Sequence, residues 1–130
     1  MGDKIDFSFD DKICGYLISM PDFVKLSDIE SWIINFDLEL KTFQSLKPIS
    51  ILLDSNKHKF ESIQCLKALR DYLTHIQEHI AKAAFVAPTS FREPEIVSGR
   101  EAYFDKFEDA YLWLENKWNR NYQILANELF

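Results

Sequence analysis

The 130-residue chain has little of what exported, membrane-spanning or nucleotide-binding proteins rely on. It contains 3 Gly, 4 Pro and 2 Cys. It has neither a GxGxxG pattern nor a P-loop, which excludes the usual glycine-rich phosphate cradle. Its apolar runs stay well below the roughly 18 residues of a membrane span. Cys14 and Cys65 have no CxxC partner and no neighbouring His, so we expect both thiols to be free and buried in the core.

The charge distribution is equally restrictive. Residues 1–11 carry five charges and no apolar stretch, unlike a signal peptide, so we expect a cytoplasmic protein without a transmembrane segment. The whole chain has 15 basic and 21 acidic residues, a net charge of −6. Because affinity for phosphates comes from clustered Lys and Arg, nucleic acid is not expected as a partner.

Short apolar segments at regular intervals predict the strands of an α/β domain. We expect three core strands and a short last one, at Lys12–Met20, Ile49–Asp54, Lys82–Ala87 and Glu101–Phe104. The first three are apolar at most positions, as in strands covered on both faces. Ile49–Asp54 is short and nearly all apolar, which predicts a central strand.

Helical periodicity occupies the segments between these strands. A capping box of Ser27 and Glu30 predicts a helix that ends near Lys47-Pro48. Its apolar stripe comprises Ile29, Trp32, Ile33, Phe36, Leu40 and Phe43. A second helix is expected from about Phe60 to Ile80, with an apolar stripe at Ile63, Leu66, Leu69, Leu73, Ile76 and Ile80. A last helix is expected after the capping pair Asp105 and Glu108. Its residues expected to face the core are Phe107, Ala110, Tyr111 and Leu114.

The resulting order is β-α-β-α-β-(α)-β-α, where Thr89–Arg100 allows only a short helix or a loop. Alternating strands and helices imply right-handed crossovers, so we expect a small, mainly parallel sheet of four to five strands with about four helices. We assign residues 1–115 to one domain, with residues 1–11 as a polar lead-in. Residues 116–130 form an apolar tail.

Four segments carry a resemblance to a known family. They are the strand KICGYLISM with its capped helix, the strand ISILLD, the strand KAAFVAP, and the block EAYFDKFEDAYLWLE at Glu101–Glu115. Over roughly residues 12–115 the chain resembles the STAS domain, most closely its SpoIIAA-like branch, which is related in fold to the lipid-binding Sec14 domains. The resemblance implies a non-enzymatic regulatory or protein-interaction module without a cofactor.

The Sec14 kinship implies an alternative, a module that binds a small apolar ligand or a lipid. The sequence has aromatic residues that could line an apolar cavity for it: Phe23, Trp32, Phe36, Phe43, Phe60 and Phe91.

The resemblance also singles out Ser62. In classical members a partner kinase phosphorylates a Ser in an Asp-Ser-Ser-Gly stretch, at the start of the helix that follows a central strand. Glu61 and Ser62 stand where that Asp and the phosphorylated Ser would be, whereas Ile63 and Gln64 replace the second Ser and the Gly. Ser62 is therefore a candidate phospho-switch, and the alternative is a polar residue that satisfies backbone groups in the first helical turn.

Two further groups of residues are candidate sites. Asp54 and Ser55 follow a central strand, where α/β sheets place functional groups, and the alternative role for Asp54 is to form a turn. The second group, at spacing four along one flank of a helix, comprises Asp71, His75 and His79. No additional ligand for a metal is evident, so we expect a solvated helix edge and no metal. No Ser-His-Asp or similar catalytic set is apparent.

The tail remains as a candidate interface. Its apolar residues include Trp118, Tyr122, Leu125, Leu129 and Phe130. If exposed, they would form a patch of the kind that marks an interface. Two interpretations stay open: the tail packs back on the domain, or it forms a homodimer interface.

Overall fold

The computed structural model describes residues 4–43, 48–54, 59–86 and 95–118. Within these ranges the strands are β1 Asp6–Asp10, β2 Gly15–Ser19, β3 Phe23–Val24, β4 Ile49–Asp54, β5 Lys59–Phe60, β6 Ile80–Val86, β7 Glu95–Ile96 and β8 Glu101–Phe104. The helices are α1 Leu26–Phe43, α2 Ile63–His75 and α3 Phe107–Leu114, with a 3-10 turn at Gln77–His79. The α/β class expected from the sequence is confirmed.

The main sheet is mixed. Over the described residues its strand order is β1-β2-β4-β6-β8-β7. The inner four strands are parallel, whereas β1 and β7 pair antiparallel with their neighbours at the two edges. The prediction of a mainly parallel sheet is wrong because it missed both edge strands, which reach the sheet through tight reversals rather than helical crossovers. The described part of the chain forms three α-helices instead of about four.

The predicted polar lead-in contains the edge strand β1. Its sequence, DFSFD, alternates polar and aromatic residues, so one face of the strand is aromatic and the other polar. The ring of Phe7 packs edge-on against Tyr16 and Phe36, with centroids 5.9 and 5.1 Å apart. This alternation is typical of an antiparallel strand with one solvated face. Because three of the five residues are polar, the average composition of the segment did not indicate a strand.

A tight reversal joins β1 to β2 and shortens the strand predicted at Lys12–Met20. Residues 11–14 form a turn, in which Cys14 adopts a φ of 56° and its N–H donates to the carbonyl of Asp11 at 3.2 Å. Cys14 is exposed, so its predicted core position is wrong, whereas Cys65 is buried as expected. The next residue must be Gly, because a Cβ at Gly15 would overlap the backbone carbonyl of Ser50 on β4.

Helix α1 presents the predicted stripe to the sheet. Ile29, Trp32 and Phe36 are buried, and the rings of Trp32 and Phe36 stack with centroids 5.1 Å apart. The start differs from the predicted capping box, because the helix begins at Leu26 and places Ser27 inside it. Instead, the carboxylate of Asp28 accepts the N–H of Lys25 at 2.9 Å, which satisfies one of the unpaired donors at the helix start.

Helix α2 is shorter than predicted, and the predicted stripe is buried at Leu69, Ile76 and Ile80 but not at the start of the helix. It begins at Ile63 rather than near Phe60, and it ends at His75 because the chain tightens into the 3-10 turn before β6. The side chains that face the core are Cys65, Leu69, Tyr72 and Ile76. Ile63 and Leu66, predicted to be core residues, are exposed instead. The buried Cys65 and Tyr72 determine which side of the helix faces the core. A pattern based on aliphatic residues alone gives little weight to these two residue types.

A carboxylate links the two helices on this side of the sheet. Asp37 of α1 accepts a hydrogen bond from the Tyr72 hydroxyl of α2 at 3.2 Å. It also forms an ion pair with Lys41, with the nitrogen and oxygen 2.9 Å apart. The hydrogen-bonded ammonium of Lys41, together with the Tyr72 hydroxyl, lowers the pKa of Asp37. Burial and the carboxylate of Asp37 raise the pKa of Tyr72.

The helices lie on opposite faces of the sheet. Helices α1 and α2 cover one face, over Tyr16, Ile18, Ile51 and Leu53. Helix α3 covers the other, where Ala110, Trp113 and Leu114 pack on Leu52, Ala84, Val86, Ala102 and Phe104. Strand β4 is buried between the two layers at every position except Asp54, which confirms its central place. None of the described helices combines the length and the apolar character needed to cross a bilayer.

Candidate functional site

The carboxyl ends of the parallel strands bring the candidate residues to one edge of the sheet. Two segments that leave this edge, after β2 and after β4, are joined by the small parallel pair of β3 and β5. The N–H of Lys59 donates to the carbonyl of Asp22 at 2.7 Å, and the N–H of Glu61 donates to the carbonyl of Val24 at 2.8 Å. This bridge fixes the point at which α2 begins.

Ser62 is the N-cap residue of α2, with extended backbone angles of φ −158° and ψ 167°. Its hydroxyl makes no side-chain capping bond and lies 4.0 Å from the thiol of Cys65. That thiol points to the carbonyl of Val24, 3.7 Å away. Ser62 thus occupies the predicted position at the helix start, but the structure does not give its hydroxyl the backbone-satisfying role that the alternative interpretation assigned to it.

Three exposed apolar residues lie near Ser62. Ile63 follows it directly, Leu66 lies one turn further along α2, and Phe23 lies on β3 beside the helix start. Their exposed fractions are 80%, 49% and 51%. Positions three apart share one side of a helix, so Ile63 and Leu66 face the same way. We call Phe23, Ile63 and Leu66 the α2-start patch.

Sequence reasoning missed this patch because it assigned Ile63 and Leu66 to the core. The signal that could have found them is the register of the helix. A stripe through Cys65, Leu69, Tyr72 and Ile76 fits a spacing of four and three residues as well as the predicted stripe does. The two stripes share the buried Leu69 and Ile76, and they differ at the start of α2, where Cys65 faces the core and Ile63 and Leu66 are exposed.

A second exposed apolar pair lies on α1. Ile34 and Leu38 are 63% and 60% exposed, one turn apart on the side of the helix opposite the buried Phe36. This pair lies away from the carboxyl edge of the sheet and from Ser62. It therefore provides a matched comparison for any property assigned to the α2-start patch.

Asp54, the other predicted site residue, ends β4 and lines a cleft on the α3 side of the sheet. The cleft has a volume of about 300 Å³. Its polar lining comprises Asp6, Ser8, Ser19 and Asp54, and its apolar lining includes Leu17, Leu52 and Phe107. We call it the β1–β4 cleft. Ser55, predicted together with Asp54, lies outside the described residues.

The cleft exists because α3 covers only part of its face of the sheet. Helix α3 has eight residues and packs on β4, β6 and β8. Its Tyr111 extends to β1, where the hydroxyl donates to the carboxylate of Asp10 at 3.1 Å. Asp10 lies at the opposite end of β1 from Asp6, so the contact covers one end of the β1–β2 face and leaves the other as the cleft.

The start of α3 is also acidic. Glu108 and Asp109 lie in the first turn, next to Phe107. Burial raises the pKa of the Asp109 carboxyl, and Lys106 opposes the effect. The N-cap of this helix is Lys106, so the predicted capping pair of Asp105 and Glu108 is not the one that forms.

The helix flank expected to be solvated and the tail expected as an interface lie elsewhere. Asp71, His75 and His79 are exposed, and no three potential metal-ligating side chains come together within the described ranges. Trp118 packs edge-on against Phe104, with centroids 5.4 Å apart. The rest of the predicted tail interface, Tyr122, Leu125, Leu129 and Phe130, lies outside the described residues.

Comparisons with known proteins define the class of fold. No protein-family model and no curated protein matches the sequence. A solved structure does match: an uncharacterised protein of the DUF3478 family with a SpoIIAA-like fold from Shewanella loihica PV-4. It is 12% identical, and the match covers 85% of this chain and 91% of that chain with a TM-score of 0.61. The chain therefore has a SpoIIAA-like α/β fold, which confirms the fold implied by the sequence resemblance.

Proposed function

We propose that the protein is a non-enzymatic regulatory module that binds a partner protein through the α2-start patch. The observation that carries the proposal is the exposure of Ile63, Leu66 and Phe23 around the N-cap Ser62. Large apolar side chains grouped at one exposed site are typical of protein interfaces. In the STAS-like proteins that the sequence resembles, the helix start at this position is the regulatory one.

The ordered, buried base of the patch supports a role in binding a partner. The helix start is held by the Glu61–Val24 hydrogen bond, and Val24 and Cys65 beneath it are 0% exposed. A rigid base presents the exposed side chains in a fixed arrangement, which lowers the entropy lost on binding. Apolar residues in a fixed, exposed position are what the core of a protein–protein contact requires.

Ser62 gives the patch a means of control. A phosphate on Ser62 would be stabilised by the N-terminal end of the 13-residue helix α2, whose first turn contains no acidic residue. The same phosphate would put about two negative charges between apolar side chains that must lose water when a partner binds. The proposed switch therefore releases the partner without unfolding the domain.

The aromatic-cavity alternative receives less support. Trp32 and Phe36 stack on each other and are 2% and 0% exposed, so they fill the core between α1 and the sheet. Phe23 is on the surface, and Phe60 is partly buried. Phe91 and the side chain of Phe43 lie outside the part of the chain that the structure describes. The described aromatic residues thus do not surround one apolar cavity.

The test is an affinity capture with matched variants. The full chain, the patch variant Ile63→Ser/Leu66→Ser and the control Ile34→Ser/Leu38→Ser are used as bait in extracts of the native cell. We expect one defined protein to be retained by the full chain and the control and lost by the patch variant. Equal retention by all three, or capture of nothing but a second copy of the chain, would overturn the proposal.

A further inference from the structure

Two basic residues continue the exposed side of α2 beyond the α2-start patch. Lys67 lies four residues after Ile63, and Arg70 lies four residues after Leu66. Positions four apart are neighbours on a helix surface, so each exposed apolar side chain has a cation one turn further along. Lys67 and Arg70 are exposed, whereas Leu69 between them is buried. The outer side of α2 thus changes from apolar at its start to basic in its second turn.

A third cation borders the remaining residue of the patch. Lys59 on β5 is the register partner of Phe23 on β3, and register partners on neighbouring strands project from the same face. Both residues are exposed. Each of the three apolar residues of the patch therefore has a basic neighbour, although these neighbours come from a helix and from a strand.

The three cations are not neutralised within the part of the chain that the structure describes. The side chains of Lys59, Lys67 and Arg70 form no ion pair and donate no hydrogen bond there. Exposed acidic residues flank the patch without pairing with these cations: Asp22, Glu61 and Asp71. The cations are therefore available to carboxylates of a partner, and charges at the rim of an apolar contact select the partner and speed association.

The arrangement of charge discriminates among possible occupants. A contact between two copies through this patch would be two-fold symmetric, so it would bring the cations of both copies close together. An anionic lipid surface is disfavoured because the whole chain has a net charge of −6. A segment of another protein that carries carboxylates beside apolar side chains matches both parts of the surface.

We propose that the partner protein docks through an acidic segment, with its apolar side chains on the α2-start patch and its carboxylates beside Lys59, Lys67 and Arg70. Ile63 and Arg70 are about 10 Å apart along the helix axis. An extended segment covers that distance in about three residues, so an apolar residue and a carboxylate of the partner lie about three positions apart. This inference rests on the proposed function, because it gives the chemistry of the partner at the same surface.

The test uses short synthetic peptides that share one pattern of leucines and carry Glu, Gln or Lys at the same flanking positions. Each peptide is titrated into the full chain at low and at high salt, with backbone amide NMR shifts for location. We expect the Glu peptide to bind most tightly, with shifts centred on residues 63–70, and to weaken as the salt concentration rises. Absence of saturable binding, equal affinity for all three peptides, or shifts centred elsewhere would overturn the proposal. Tighter binding to vesicles of phosphatidylserine and phosphatidylcholine than to the Glu peptide would also overturn it.

Charge reversal tests the cations. We expect Lys67→Glu/Arg70→Glu to lower the affinity for the Glu peptide about tenfold. The same variant should bind the Lys peptide more tightly than the native chain does, a gain that misfolding would not produce. The control Lys12→Glu/Lys117→Glu makes the same change in net charge at exposed positions in the β1–β2 turn and after α3. It should keep the affinity for the Glu peptide within about twofold. Equal losses in both variants would show that binding follows net charge alone, which contradicts the proposal.

The two proposals fail separately in the affinity capture. A partner that is lost by Ile63→Ser/Leu66→Ser but retained by Lys67→Glu/Arg70→Glu would leave the partner surface intact and overturn the acidic segment. A partner that is retained by Ile63→Ser/Leu66→Ser would overturn the proposed function itself.

Discussion

The backbone N–H of Glu61 donates a 2.8 Å hydrogen bond to the carbonyl oxygen of Val24. This bond ties the segment after β4 to the segment after β2, and the Cys65 thiol approaches the same carbonyl from the first turn of α2. The start of α2 is thereby fixed beside β3. Because Phe23 adjoins Val24 and Ile63 lies between Glu61 and Cys65, the exposed apolar side chains of the α2-start patch are held on a rigid base.

Ser62→Asp separates stability from partner binding. Asp is a good N-cap residue, and its charge suits a helix N-terminus, so the free energy of unfolding should be unchanged or rise by up to about 1 kcal/mol. Binding of the captured partner should nevertheless weaken, because the carboxylate must lose water within an apolar contact. Denaturant titration and a binding isotherm measure the two quantities. Ser62→Ala is the uncharged control, and weaker binding by both variants alike would contradict a charge-based switch.

Gly15 tests the close approach of β2 to β4. A Cβ there would overlap the backbone carbonyl of Ser50, which cannot move without disturbing the central strand. We expect Gly15→Ala to lower the free energy of unfolding by about 1–3 kcal/mol, the usual range for overpacking. The control is Gly99→Ala, since nothing lies within 4 Å of the added methyl group there. The account of this strand contact is wrong if the two variants are equally stable in urea.

Phe36 tests the core beneath α1. Its ring is fully buried and contacts Phe7, Tyr16 and Trp32. Phe36→Ala removes these contacts and leaves a cavity, so we expect a loss of about 3–5 kcal/mol in the free energy of unfolding. Ile34→Ala, two residues away on the exposed side of the same helix, should change it by less than about 0.5 kcal/mol. Comparable losses at both positions would contradict the described orientation of α1.

Tyr16 gives a prediction for alkaline pH. Burial and the hydrogen bond to Glu39 raise the pKa of Tyr16 from 10.0 to about 12. The folded state therefore holds this proton more tightly than the unfolded state does. The resulting stability is fully present below pH 10 and is lost as the pH rises from 10 through about 12. Denaturant titrations across this range should show a steeper loss for the native chain than for Tyr16→Phe, and identical slopes would rule out the shift.

Much of the fold was predictable because the inner strands are nearly all apolar. Ile49–Asp54 was expected to be a central strand, and the structure buries it between two layers. The edges were not predictable in the same way. Strand β1 alternates polar and aromatic residues, and its pairing with β2 depends on a turn in which Cys14 takes a positive φ. Runs of consecutive apolar residues predict buried strands, but they carry no information about such a turn.

The candidate site was predictable in position but not in character. The family resemblance placed Ser62 in the first turn of the second helix, and the structure makes it the N-cap residue. The exposure of Ile63 and Leu66 was not predictable, because it depends on which side of the first turns of α2 meets the sheet. Tyr72 settles that choice through its hydroxyl, which reaches Asp37 on α1 while its ring packs on Trp32. A contact between two helices is not visible in the periodicity of one.

Site-specific photo-crosslinking in the native cell tests the central claim most directly. A benzoylphenylalanine residue is placed at Ile63 in one chain and at Ile34 in another, since both side chains are exposed and lie on different surfaces. The account predicts a discrete adduct with one heterologous protein from position 63, and no such adduct from position 34. The same adduct from both positions, or from position 34 alone, would contradict a partner surface at the start of α2.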